Sequence, residues 1–65
     1  MKVRHFTQAD TSPIELQDVP VAEMRDLDEN TVLDIDIDGH ICAITIEHAS
    51  TRAGVPQFSY EQIAA

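Results

Sequence analysis

The chain has few of the residues that usually stabilise a small protein or build a catalytic loop. Its 65 residues include one cysteine, two glycines, three aromatic residues and no tryptophan. The single cysteine, Cys42, excludes an internal disulfide, and a lone thiol suits the reducing cytoplasm. A domain of this size buries only about 60% of the surface that its unfolded chain exposes. We therefore expect a homodimer, because oligomerisation is the remaining source of stability.

Long apolar runs and basic residues are also scarce. There is no apolar run near 18 residues and no basic-then-apolar leader, so the sequence predicts neither a membrane span nor export. Four Lys and Arg stand against twelve Asp and Glu, for a net charge of −8. Ten of the acids lie within residues 10–38, where Arg25 is the only base. This charge argues against nucleic acid, whose phosphates bind Lys and Arg, and predicts a basic protein partner. The alternative interpretation is that the negative charge only keeps the chain soluble.

The most informative segment is a predicted β-hairpin over residues 32–47. Apolar and acidic residues alternate up to Asp38-Gly39, and an apolar, β-branched run follows. A two-residue loop would pair Leu33 with Ile44. A turn with a glycine bulge would shift the register by one residue and pair Ile35 with Ile41. In both registers Leu33 and Ile35 point to the core, and the neighbouring acids point away.

The rest of the sequence predicts shorter elements. We expect strands within residues 1–6, 14–16 and 21–27, with Pro13 at a strand start or an edge. Residues 48–56 are expected to form a connection. A final helix is predicted after Ser59, with Gln62 completing a capping box. The predicted fold is α+β, mainly β: a small antiparallel meander of four or five strands in residues 1–52, and a tail, 53–65, whose short C-terminal helix packs on the sheet.

The hairpin also resembles part of a calcium loop. Asp34-x-Asp36-x-Asp38-Gly39 matches the first half of the EF-hand pattern, but position twelve is Thr45 instead of glutamate. Alternate residues of a strand lie about 6.6 Å apart, and two oxygens on one calcium lie within about 4.8 Å. A straight strand therefore cannot bring all three carboxylates to one ion. No metal, cofactor or catalytic residue is predicted; a metal- or small-ligand site at Asp34, Asp36, Asp38 and His40 is the alternative hypothesis.

The chain contains, in order, the segments Met1-Lys2-Val3-Arg4, Ala9-Asp10, Val21-Ala22-Glu23, Val32-Leu33-Asp34-x-Asp36, Asp38-Gly39 with Ile41, Ile44 and Ile46, and Ala49-Ser50-x-Arg52. Together these segments resemble the YuzE-like family of small bacterial proteins, which has no assigned function. The resemblance covers roughly residues 1–52 and implies a small antiparallel sheet followed by a C-terminal helix or tail. The chain departs from the family pattern at residues 5–7 and 11–13, and the second departure weakens the prediction of a well-paired second strand. The resemblance implies no catalytic or ligand residue.

These observations predict a non-enzymatic protein-protein interaction module. Its acidic face would meet a basic surface, and the expected contact residues are Glu23, Asp26, Asp34 and Asp36. In its narrowest form the hypothesis is an antitoxin-like protein that neutralises a small basic nuclease.

Overall fold

The C-terminal strand lies at the centre of the sheet. In a computed structural model of residues 1–65, the five strands are β1 (Lys2–Val3), β2 (Thr11–Glu15), β3 (Glu23–Asp28), β4 (Thr31–Ile35) and β5 (Ile41–Glu47). They form one antiparallel sheet in the order β1-β2-β5-β4-β3. The predicted fold class is confirmed. The meander is restricted to β3, β4 and β5, and the β1–β2 hairpin pairs with the free side of β5.

The β4–β5 hairpin contains both of the registers that the sequence allowed. At the turn the amide of Asp36 donates to His40 at 2.9 Å, and Ile35 pairs with Ile41. Farther from the turn, Leu33 pairs with Ile44. The shift is absorbed by a β-bulge at Cys42, the extra residue of β5 between these two pairs. Gly39 adopts φ +84°, which the turn requires and which glycine adopts without strain.

Pro13 lies inside β2 and not at its start, which corrects the sequence-based expectation. It pairs with Thr45 of β5, and its carbonyl accepts a hydrogen bond from the Arg4 amide at 3.1 Å. A residue's amide and carbonyl point to the same side of an antiparallel strand. The donor that proline lacks would therefore point to the β1 side of β2. The hydrogen bonds between β2 and β5, on the other side, are preserved.

One face of the sheet is apolar. The register places six aliphatic side chains on it, from four strands: Val3, Ile14, Leu33, Ile35, Ile44 and Ile46. We call this set the apolar face. Ile35 is buried, whereas the other five are only half-buried. The reason is that all secondary structure except one four-residue helix lies in the sheet, so no full second layer covers this face.

The helix predicted after Ser59 is absent, and this expectation was wrong. The only helix, α1, spans Ala49–Arg52, where the sequence predicted a connection, and no helix is long enough to cross a membrane. Six residues cannot sustain an isolated helix in water. The tail side chains that would have to dock on the sheet, Phe58 and Ile63, are 65% and 70% exposed.

Candidate protein-binding surface

Strand β3 forms the most exposed part of the sheet. It pairs with β4 on one side only, and all six of its residues are exposed. Two are large and apolar: Met24 is 69% exposed and Leu27 is 65% exposed. Exposed edge strands leave backbone donors and acceptors free, and proteins usually protect them with charge. Here the charge is mainly negative, so the strand offers hydrogen bonds, apolar area and acidic groups together.

The acidic groups of β3 have different surroundings. Glu23 accepts hydrogen bonds from Arg25 at 3.1 Å on both carboxylate oxygens, so these two charges neutralise each other. The amide of Asn30 donates to Asp28 at 2.8 Å and holds the pKa of that carboxyl below its ordinary value, with Arg52 adding attraction at 3.7 Å. Asp26 has neither an ion pair nor a hydrogen bond to its side chain. It is the uncompensated charge at the centre of the strand.

Asp36 is not displayed to a partner, contrary to its predicted orientation. Its side chain is 10% exposed. Its Oδ1 accepts hydrogen bonds from the amides of Asp38 and His40, each at 2.9 Å. The carboxylate thus closes the β4–β5 turn by binding its own backbone. Of the four predicted contact residues, only Glu23 and Asp26 are displayed on β3.

Asp34, the fourth predicted contact residue, lies within a central strand. Its neighbours across the sheet are Met24 and Ala43, on the face opposite Leu33. Its Oδ1 is buried and has no hydrogen-bond partner. This oxygen is therefore not displayed to a partner in the folded chain.

The acidic ridge is not assembled as a metal site. No three His, Cys, Asp or Glu side chains are grouped so that they could hold a metal ion. Asp36 bonds its own turn, and Asp34 is separated from it by Ile35 in the extended strand. The alternative hypothesis for Asp34, Asp36, Asp38 and His40 therefore receives no support from the geometry.

A polar cluster that the sequence did not predict joins the turn before β2 to the start of α1. Asp10 accepts hydrogen bonds from the Ser50 amide at 3.0 Å and the Ser50 hydroxyl at 2.8 Å. The Asp10 carbonyl also accepts from the Ala49 amide at 2.9 Å. These bonds provide acceptors for the free backbone amides at the start of α1, where His48 provides no side-chain cap. The Ser50 hydroxyl is the main reason that the pKa of Asp10 lies below its ordinary value. Ala9-Asp10 and Ala49-Ser50 were both noted in the sequence, but their contact was not.

His5 extends this cluster to β2. Its Nδ1 lies 2.8 Å from the Ser12 hydroxyl oxygen, and its Nε2 lies 3.8 Å from Asp10. A serine, a histidine and an aspartate in contact resemble a nucleophilic arrangement. Ser12 is 1% exposed, however, so its hydroxyl is closed to a substrate in this structure. The observed role of the cluster is to attach the N-terminal segment and α1 to the sheet.

A shallow apolar cleft lies where β3 begins. Its volume is about 340 Å³, and its walls are residues 19–22 and the hairpin residues Asp36, Ile37 and Asp38. Ile37 is 87% exposed and Val21 is 48% exposed. The cleft therefore places apolar surface next to two carboxylates at the end of the β3 edge.

Residues 2–50 match the model of a family described as a protein of unknown function (DUF2283). The chain belongs to this family. The matched segment includes all five strands and the start of α1, so it contains both the β3 edge and the contact between Asp10 and Ser50. No curated protein and no solved structure matches the chain.

Proposed function

We propose that the chain is a non-enzymatic protein-interaction module that acts as a homodimer and binds a basic partner protein. The observation that carries this proposal is the amount of surface left uncovered. The chain exposes 5090 Å², whereas a compact monomer of 7.2 kDa is expected to expose about 4,100 Å². The excess is about 1,000 Å², part of it on the tail. A typical stable interface buries about 800 Å² per partner.

The apolar face is the surface that best suits a second copy. Its six side chains are aliphatic, although the chain as a whole carries a net charge of −8. The charged pair formed by Glu23 and Arg25 lies at its margin. Two sheets that pack face to face bury such side chains in a shared core. A dimer through this face would cover the five half-buried side chains and leave β3 at the rim, free for another partner.

Light scattering over a concentration series tests the dimer. We expect a dimer with and without a chelator, and a monomer at every concentration would refute it. Ile44→Thr should weaken the dimer, because both copies lose apolar area. A loss of about 1 kcal/mol per copy makes dissociation roughly 30-fold easier. Val32→Thr is the control, since it also replaces an aliphatic side chain with threonine at a half-buried position, but on the opposite face.

The acids of β3 support a basic partner. Complementary charge accelerates association, and Asp26 offers a negative charge that no basic side chain of the chain neutralises. The narrowest form of the proposal remains a small basic nuclease that this chain neutralises in the manner of an antitoxin. The resemblance of residues 1–52 to the YuzE-like family implies no enzymatic activity, because that family has no assigned function. We place the module in the cytoplasm because its one thiol, on Cys42, has no partner cysteine.

A further inference from the structure

We infer that the basic partner binds by strand addition: an extended, basic segment pairs with β3 and becomes the sixth strand of the sheet. This inference rests on the proposed function and specifies its mode of binding. In strand addition, backbone hydrogen bonds provide affinity and alternate side chains provide specificity.

The backbone of β3 has free groups in the required places. Asn30 and Asp36, which flank β4, bond Glu47 and His40 on the β5 side, whereas the Ile35 carbonyl accepts from Ala22 on the β3 side. Backbone direction alternates along a strand, so the amide and carbonyl of Leu33 point toward β3, where Leu33 pairs with Arg25. The same alternation holds in β3 up to the bulge at Leu27, so the amides and carbonyls of Met24 and Asp26 point away from the sheet. A docked strand would bond these two residues.

The charges select the occupant. Four of the six β3 residues are charged, and three of those are acidic: Glu23, Asp26 and Asp28. A second β3 would bring three more acids to the same edge, and each copy carries a net charge of −8. Like charges on paired strands are destabilising. Lysine or arginine at alternate positions of the added strand would instead contact Asp26.

The other edge of the sheet is a poorer site for an added strand. It is formed by β1, which has only two residues, too few for a ladder of several hydrogen bonds.

The apolar cleft offers a second contact beside β3. A strand docked on β3 and continued past Glu23 would run toward the apolar cleft formed by residues 19–22 and Ile37. An apolar side chain there would anchor one end of the segment.

The first test uses a labelled ten-residue peptide of alternating lysine and valine, measured by fluorescence anisotropy with the full chain. Two further versions carry N-methyl groups, one on every lysine amide and the other on every valine amide. Amides of alternate residues point to opposite sides of a strand, so only one of these sets faces β3. We expect one version to bind at least about fivefold more weakly per hydrogen bond lost, and the other version to bind like the parent.

A protein variant tests the same point from the other side. Met24→Pro removes an outward amide without changing charge or a bond to β4, and proline is accepted at sheet edges. Met24→Ala is the control, because it loses the side chain but keeps the amide. We expect the proline variant to bind the peptide at least about fivefold more weakly than the alanine variant.

The possible results separate the two proposals. Equal binding of both methylated peptides would overturn strand addition and leave a basic partner held by charge alone. If no peptide bound, even at low salt, the basic-partner proposal would fail together with strand addition. If Met24→Pro did not fold, the methylated peptides would still decide between the two modes.

Discussion

The sharpest test of the hairpin is to remove the carboxylate of Asp36. In Asp36→Ala the amides of Asp38 and His40 lose their acceptor. Hydrogen bonds to a charged group contribute about 1.5–3 kcal/mol each in net terms. Water reaches the exposed turn and replaces part of this, so we expect a total loss of about 2 kcal/mol. A loss of this size lowers the melting temperature of so small a domain by about 8–16 °C.

Asp38→Ala is the matched control. It removes the same charge two residues away, from an exposed side chain that accepts no hydrogen bond, and we expect it to melt within about 4 °C of the unmodified chain. Asp36→Asn should lie between the two variants, since an amide oxygen still accepts but without charge. Thermal unfolding followed by circular dichroism measures all three. Equal melting temperatures for Asp36→Ala and Asp38→Ala would show that Asp36 does not close the turn.

Two further predictions concern the acidic limit of stability and the tail. The pKa of Asp10 is lowered in the folded chain, so its contribution is present above pH 3.8, its ordinary pKa, and is lost as the pH falls through the lower folded value. The urea midpoint should therefore fall less steeply below pH 4 in Asp10→Asn than in the unmodified chain, and parallel curves would contradict this. Removing residues 57–65 should leave the melting temperature unchanged, because these residues are exposed and lie in no helix or strand; a clear decrease would mean that the tail packs on the sheet.

Local sequence patterns predicted the strands well because their causes are local. Alternation through residues 32–38, the turn residues Asp38-Gly39 and the β-branched run after them are enough to form β4, β5 and their hairpin. The sequence also predicted β3, even though its residues favour a helix, because Pro20 and the turn near Asn30 leave room for little else. The register remained open, since either turn type suits the same residues.

The errors came from contacts between distant residues. α1 forms because Asp10, 40 positions before Ser50, accepts the hydrogen bonds at its start. The predicted tail helix had good capping residues but no surface on which to dock. Among the predicted contact residues, Asp36 and Asp26 are both aspartates of the acidic segment. Only the tertiary structure shows that the Asp36 carboxylate bonds its own turn, while the Asp26 carboxylate on β3 has no partner.

The sequence by itself determined the fold class, the acidic character and the position of the central hairpin, because composition and alternation act over a few residues. The tertiary structure decided the strand order, the bulge at Cys42 and which acids are displayed. Those features depend on how hydrogen bonds are shared between segments that are far apart in the chain, and no local pattern specifies that distribution. The exposed β3 edge, on which the proposed strand addition depends, is a consequence of that strand order.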